Sequence, residues 1–194
     1  MESTQRPIGA EAPRGHGEHS EPSSGSSDWR SHLPVLCGSD VTLRELQASD
    51  APSLFALLTA HEVVRFINVP PTSVDGFEQF IARAQEQRSA GTGFCFAVTQ
   101  TGSDTAIGVF QVSVRHDLSI AEWGFAIGSP FWGTGVFGDA AELILQFAFE
   151  TLGVHRLEAI AAVRNGRGNR ALQKVGAVQE GVLRETFLSN GEYL

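Results

Sequence analysis

The chain has 194 residues, 42% of them hydrophobic and 19% charged, as is typical of one soluble globular domain. Its 14 Lys and Arg against 22 Asp and Glu give a formal charge of −8, which disfavours a nucleic-acid surface and favours a cationic partner such as an amine. We find no secretory signal, no apolar run of the roughly 20 residues that cross a membrane, and only two cysteines, with no disulfide framework or metal-ligand pair. We therefore expect a cytoplasmic protein with neither a membrane nor a nucleic acid as a partner.

The start of the chain differs in composition from the rest. It is rich in Ser, Gly, Pro and charged residues and has few apolar residues before Trp29, so little burial would offset the entropy lost on ordering. We expect residues 1–38 to be a disordered polar tail and residues 39–194 to form the folded domain.

Regular patterning begins at Val41, with a strand predicted over residues 41–46. Ser49 or Asp50 is placed to cap a first helix. Its predicted apolar face is Leu54, Leu57, Leu58 and His61. Thr72 and Asp75 have the spacing of a capping box before a second amphipathic helix, whose apolar face is Phe77, Phe80, Ile81 and Ala84.

Three strands are predicted next, over residues 94–99, 106–114 and 119–127. Only short polar segments separate them, which is typical of an antiparallel meander. The apolar phase of the middle strand changes between Val109 and Phe110, which predicts a β-bulge there.

A glycine-rich turn then precedes a buried helix predicted over residues 137–152, which Gly153 ends as a left-handed cap. The predictions for the remaining chain are a buried strand over residues 155–163, a short helix carrying Leu172 and Val175 that stops at Gly176, a strand over residues 178–188, and a hairpin turn at Ser189-Asn190-Gly191.

The turn Gly133–Gly138 matches G-x-G-x-x-G, with Glu158 about twenty residues beyond it, as in a dinucleotide-binding fingerprint. The context argues against that interpretation, because a loop containing Pro130 intervenes and the preceding strand ends an antiparallel meander. A helix start behind consecutive glycines still suits a phosphate or pyrophosphate. The alternative is a tight strand-to-helix turn without a ligand.

Two motifs at this separation resemble the GCN5-related N-acetyltransferases (GNAT), and most of all their ribosomal-protein N-terminal (RimJ/RimL-type) members. One is the strand 121–127 leading into Trp132-Gly133-Thr134-Gly135, and the other is the segment 165–177. The resemblance covers the chain from about Val41 onward. It implies an α+β fold, a three-layer α/β/α sandwich around a mixed, mostly antiparallel sheet whose central strands splay apart.

The resemblance also implies acetyl-coenzyme A (acetyl-CoA) as cosubstrate, with its pyrophosphate on the glycine-rich turn and its pantetheine arm along the splayed strand. The positions it assigns to cofactor binding are Phe125, Ile127, Trp132, Gly133, Thr134, Gly135, Val136, Phe137, Gly138, Asn165 and Arg170.

Several positions depart from the family pattern. Thr134 stands where a basic residue is common, and Phe137 where a small one is usual. Asp139 would repel a phosphate unless it points away, and Gly168 replaces a serine proposed to steady the departing thiolate. Coenzyme A binding tolerates these changes more readily than any one catalytic assignment.

Glu122 is our candidate catalytic base for direct transfer to a primary amine. We expect partial burial on its strand face, which tunes a carboxyl for proton transfer near neutral pH; the alternative is a glutamate on the solvent side. The tyrosine that serves as general acid in some relatives is replaced by Leu172, and Tyr193 is the only tyrosine. Cys95 is expected to be a core thiol.

The predicted function is transfer of an acetyl group from acetyl-CoA to a primary amine, with a protein N-terminus as the first candidate acceptor. The alternatives are a small-molecule acetyltransferase acting on an aminoglycoside or polyamine, and a non-catalytic acyl-CoA-binding module. A monomer or a homodimer is compatible with the sequence. The last strand of the fold stops after Leu194, so we also expect a truncated final strand and an open sheet edge beside residues 155–163.

Overall fold

The computed structural model describes residues 28–67, 70–115, 119–186, 188–189 and 192–193. Its main sheet has six strands in chain order: β1 (Leu36–Cys37), β2 (Val41–Glu45), β3 (Gly93–Gln100), β4 (Ala106–Val114), β5 (Ile120–Ile127) and β6 (Arg156–Glu158). β1 to β5 pair antiparallel, and β6 pairs parallel to β5. A separate hairpin consists of β7 (Leu188–Ser189) and β8 (Glu192–Tyr193).

The helices are α1 (Ala51–Leu58), α2 (His61–Val64), α3 (Val74–Ser89), α4 (Val136–Gln146) and α5 (Gly166–Lys174). α1 and α3 cover one face of the sheet, with a core that includes Leu54, Phe77 and Ile81. α4 covers the other face, where Ile144 packs in the same core as Phe110. The predicted α+β class, with helical layers on both faces of a mixed sheet, is therefore confirmed. No helix among the described residues is long and apolar enough to cross a membrane.

The folded region begins earlier than the boundary predicted at residue 38. Trp29 is only 6% exposed and Leu33 only 5%. The Trp29 ring packs edge-on against Phe94, with 5.4 Å between centroids, and β1 pairs with β2. The prediction was wrong here because two isolated apolar residues in a polar stretch reach a core that the rest of the chain builds. Residues 1–27 lie outside the described part.

Two local predictions are corrected in the first half of the chain. α1 ends at Leu58, so His61 begins α2 and does not extend the α1 face. The cap of α3 is Ser73, not Thr72, because the Ser73 hydroxyl accepts a hydrogen bond from the N–H of Gly76 at 3.0 Å.

The bulge in β4 lies at Ile107, not between Val109 and Phe110. Val98 pairs with Gly108 and Thr99 with Ala106, so Ile107 is the extra residue. The register with β5 runs unbroken through Val109 and Phe110. The change in apolar phase indicated the wrong position for the bulge because helices cover both faces of the sheet at this point, so burial does not alternate along β4.

The chain after α4 forms less strand than predicted. One turn of π-helix (Phe147–Thr151) extends α4, and Gly153 has the expected positive φ of 71°. The strand predicted over residues 155–163 is limited to the three residues of β6, which are not buried. Residues 178–186 are irregular instead of forming a strand, although the last hairpin is present. Within the described residues β6 has a neighbour on one side only, so the expected open edge is found there.

A buried ion pair joins β2 to the start of α1. Both Nη atoms of Arg44 donate to the Asp50 carboxylate, at 2.8 and 2.7 Å, and its Nε donates to Asp104 at 2.5 Å. Arg44 is 9% and Asp50 3% exposed. The hydrogen bond with Asp50 raises the pKa of Arg44 above its usual value, so the guanidinium stays charged in the interior.

Candidate active site

The glycine-rich turn connects the end of β5 to the start of α4. Gly133 and Gly135 have φ angles of 79° and 96°, which only glycine adopts without strain. Gly135 is the N-cap residue of α4, so the N–H groups of the following turn have no acceptor inside the helix. A Cβ atom at Gly133, Gly135 or Gly138 would meet no atom within 4 Å. The turn is therefore an open cradle at the positive end of a helix.

Trp132 fixes this turn on the end of β5. Its indole N–H donates to the carbonyl of Ile127 at 2.8 Å, and its ring packs against apolar residues of both cores. The hydroxyl of Thr134 donates to the carbonyl of Phe131 at 2.8 Å. The side chains of Trp132 and Thr134 thus hold the shape of the turn, while Val136 is buried in the core and offers only its backbone.

The second half of β5 has an open edge. β6 pairs with β5 only at residues 120–122, so the two strands splay apart beyond Glu122, as predicted. The N–H of Gly128 donates to the carbonyl of Ile107, and the carbonyl of Ile120 accepts from Arg115. Even-numbered residues of β5 therefore direct their backbone groups at β4, and the N–H groups of Phe125 and Ile127 point into the gap left by β6.

Phe137 packs differently from the small residue usual at its position. Its ring lies 4.5 Å from that of Phe125 and 5.9 Å from that of Phe110, measured between centroids. Both Phe125 and Phe137 remain partly exposed. This aromatic pair forms a wall between the open half of β5 and the first turn of α4.

Asp139 points away from the cradle. Its carboxylate accepts three backbone N–H groups from the turn between β1 and β2, those of Ser39, Asp40 and Val41, at 3.2, 2.7 and 3.0 Å. Gly38 makes room for it, since a Cβ there would lie 2.5 Å from a carboxylate oxygen. Because the Asp139 carboxylate points away from the cradle, it would repel a phosphate there less than its sequence position alone suggests.

The second predicted motif forms the start of α5. The Asn165 side-chain oxygen accepts from the N–H of Gly168 at 2.9 Å and caps the helix. A Cβ at Gly168 would lie 2.5 Å from the Asn165 amide nitrogen, so a serine at residue 168 is incompatible with this conformation of Asn165. Arg170 is exposed on α5. No contact in the described residues joins Asn165 or Arg170 to the cradle.

Glu122 is exposed, so the partial burial that we predicted is not found. It lies opposite Ser113 of β4 and Glu158 of β6, on the same strand face as Gly124 and on the sheet side away from α4. Glu122 shares its strand face with Ile120 and Ala126, but the helices on that face do not reach the end of the strand that carries Glu122.

Three other side chains that were considered for a chemical role are not part of the candidate site. Leu172 is buried in the core, and Tyr193 is 53% exposed in the last hairpin. Cys95 is buried, and burial raises the pKa of its thiol well above the ordinary value, so it is a core thiol as predicted.

The hydroxyl of Ser129 donates a hydrogen bond to the Glu62 carboxylate, and this bond lowers the pKa of Glu62. The same hydrogen bond ties α2 to the loop after β5.

Sequence reasoning missed one contact at this site. The guanidinium carbon of Arg167, in the first turn of α5, lies 3.9 Å from the centroid of the Trp132 ring. The contact joins α5 to the residue before the glycine-rich turn across 35 positions of sequence, and no local signal in the sequence indicates it.

Comparison with known proteins agrees with this geometry. N-acetyltransferase YoaA of Bacillus subtilis (strain 168), which is uncharacterised, is 28% identical over 164 residues, 82% of this chain and 91% of that protein. The [ribosomal protein uS5]-alanine N-acetyltransferase of Escherichia coli (strain K12) is 24% identical over 61% of this chain and 62% of its own length. The spermidine N(1)-acetyltransferase of the same strain is 26% identical over 79% and 81%.

The fold is also that of a solved acetyltransferase structure. Mycobacterium smegmatis RimJ in complex with CoA-disulfide superposes with a TM-score of 0.74 at 21% identity, over 82% of each chain. The family model described as acetyltransferase (GNAT) domain matches residues 40–178, which contain the open half of β5, the glycine-rich turn and the start of α5. The chain belongs to the GNAT acetyltransferase family.

Proposed function

We propose that this acetyltransferase uses acetyl-CoA and acetylates a primary amine by direct transfer, with a protein N-terminal amine as the acceptor. The proposal rests on one main observation, which is that the open half of β5 lies beside the start of α4. The bond from Trp132 to Ile127 and the ring contact between Phe137 and Phe125 hold these two elements together. An extended ligand arm with a phosphorylated end matches this combination of strand edge and helix start.

The described residues fit coenzyme A. Gly133, Gly135 and Gly138 leave open space where side chains would stand, and the helix start behind them offers N–H donors to a pyrophosphate. The N–H groups of Phe125 and Ile127 face the gap beside β5, where a pantetheine arm would pair as an added strand. Acetyl-CoA supplies the activated acetyl group as a thioester, and in this proposal a backbone N–H near Ile127 would polarise its carbonyl.

The face of β5 that carries Glu122, which we propose for the acceptor, is an open surface. Glu122 and Gly124 are exposed, and a Cβ at Gly124 would meet no atom within 4 Å. A polypeptide terminus fits an open surface better than a small molecule that needs an enclosing pocket. The relative that acts on ribosomal protein uS5 supports this choice, whereas the spermidine N(1)-acetyltransferase supports a small polyamine as the second candidate.

Glu122 is the side chain that we propose as proton acceptor for the incoming ammonium group. Its neighbour across the strand pair, Glu158, forms an ion pair with Arg156 at 2.6 Å, which compensates part of the negative charge of Glu158. Glu122 itself faces the exposed surface that we propose for the acceptor. Since Glu122 is exposed, a water molecule can connect the carboxylate to the amine.

Release of free thiol from acetyl-CoA, measured with a panel of amines, tests the proposed function. We expect turnover with short peptides carrying a free N-terminus, and none with the same peptides blocked at the N-terminus. Glu122→Gln is expected to lower kcat at least tenfold while the Kd for coenzyme A stays within twofold.

Three outcomes would count against these assignments. Turnover with spermidine and with no peptide would replace the protein acceptor by a small polyamine. An unchanged rate and pH profile in Glu122→Gln would remove Glu122 from the mechanism. Binding of acetyl-CoA without turnover on any amine would favour the non-catalytic binding module.

A further inference from the structure

Arg167 occupies a defined position beside the glycine-rich turn. Its guanidinium lies over the ring of Trp132 at 3.9 Å, and Trp132 immediately precedes Gly133. Both partners are fixed by other contacts, since the indole N–H is bound to Ile127 and the Asn165 cap sets the start of α5. A cation over the face of a tryptophan ring is attracted to the electrons of the ring.

The charge of Arg167 is not neutralised in the described part of the chain. None of the ion pairs found there includes Arg167, and its side chain is exposed. The acidic residue in the first turn of α4, Asp139, gives its carboxylate to the turn between β1 and β2. Within the described residues, no hydrogen bond or ion pair occupies the guanidinium N–H groups of Arg167, so they are free to donate to a ligand.

The glycine-rich turn carries no basic side chain of its own. Its residues 133–138 are Gly-Thr-Gly-Val-Phe-Gly, and the hydroxyl of Thr134 is bound to the carbonyl of Phe131. The only cation that a contact places against this turn, among the described residues, is Arg167. A helix start and an arginine side by side form a stronger phosphate site than either alone.

We propose that Arg167 binds the pyrophosphate of coenzyme A, so that α5 supplies the charged contact that Thr134 cannot. This inference rests on the proposed function and adds one binding residue to it. A planar guanidinium pairs with two phosphate oxygens at once, and its contact with the Trp132 ring restricts the side chain in advance, which lowers the entropy lost on binding.

The test is the Kd of Arg167→Gln for three ligands, measured by calorimetry. These are coenzyme A, dephospho-coenzyme A, which keeps the pyrophosphate but lacks the 3′-phosphate, and pantetheine, which has no phosphate. We expect roughly tenfold weaker binding of the first two and unchanged binding of pantetheine. Arg167→Lys should fall between the wild type and Arg167→Gln, because a lysine keeps the charge and loses the planar pair.

Two control variants make the result specific. Arg83→Gln removes the same charge from an exposed site on α3, on the opposite face of the sheet, and should leave all three values unchanged. Arg170→Gln changes the exposed arginine one turn further along α5 and should weaken binding less than Arg167→Gln. Thermal unfolding of each variant within about 2 °C of the wild type excludes a general loss of structure.

The outcomes separate this inference from the proposed function. If the wild type binds coenzyme A and Arg167→Gln binds it equally well, the inference fails and the proposed function stands. If the loss in Arg167→Gln appears with coenzyme A but not with dephospho-coenzyme A, Arg167 contacts the 3′-phosphate and the pyrophosphate assignment is overturned. If the wild type binds none of the phosphorylated ligands, the proposed function itself fails.

Discussion

Replacing Asp50 by alanine is expected to lower the free energy of unfolding by about 3–5 kcal/mol. The substitution removes the carboxylate that accepts both Nη atoms of Arg44 and also the N–H of Gln47. Arg44 would then be left buried with its charge only partly compensated, which costs more than the lost pair contributes. Because a domain of this size is typically stable by about 5–15 kcal/mol, chemical denaturation should show a clear shift of the midpoint.

Asp104→Ala is the matched control for this prediction. Asp104 also accepts a hydrogen bond from Arg44, but its side chain is 78% exposed. Its loss should therefore cost less than about 1 kcal/mol. Equal effects of the two substitutions would contradict the claim that the buried part of the network is what stabilises the packing of β2 against the start of α1.

Replacing Gly135 by valine is expected to weaken binding of coenzyme A about a hundredfold, or about 2.7 kcal/mol. Gly135 has a φ of 96°, which a β-branched residue adopts only with strain. The backbone would have to rotate, moving the N–H groups at the start of α4, and the new side chain would enter the open cradle. The measurement is the Kd for coenzyme A, taken by calorimetry on the folded variant.

Gly102→Val separates the strain from the ligand site. Gly102 has a similar φ of 83° in the turn between β3 and β4, and a Cβ there would also meet nothing within 4 Å. Both variants should lose comparable stability, yet only Gly135→Val should lose affinity. A similar loss of affinity in Gly102→Val would mean that general destabilisation, not the cradle, explains the effect.

The sequence predicted best where one local rule governs the structure. The bounds of β4 were predicted to the residue, and Gly153 and Gly176 both have the positive φ expected at the ends of helices. Residues 133–138 were placed at a helix start because adjacent glycines and an apolar helical pattern are both local signals. The family resemblance then supplied the partner strand, β5.

Prediction failed where the environment depends on distant parts of the chain. Asp50 is the N-cap residue of α1, in line with the prediction, but nothing in its local sequence shows that its carboxylate accepts hydrogen bonds from Arg44. Arg44 is also bonded to Asp104, 60 positions further along the chain. Glu122 was expected to be partly buried because the alternation of β5 gives its face but not the reach of the helices on that face. The strand predicted over residues 178–188 is not found over residues 178–186, and the described part of that segment pairs with no strand of the main sheet.

The site itself divides in the same way. The cradle was anticipated from the glycine pattern, and the open edge of β5 was anticipated from the family resemblance. Side-chain contacts across elements, such as Arg167 on Trp132 and Asp139 on the turn before β2, required the packed structure. These contacts between elements determine which charged side chains would face a bound phosphate. The assignment of individual side chains to the site therefore depends on them.

Amide hydrogen exchange with and without acetyl-CoA tests the central claim most directly. The account predicts slower exchange on binding at two separate places, the N–H groups of residues 133–138 and those of Phe125 and Ile127, with little change at exposed amides of α3. Demonstrated binding of acetyl-CoA with no added protection at either the glycine-rich turn or the open half of β5 would contradict it.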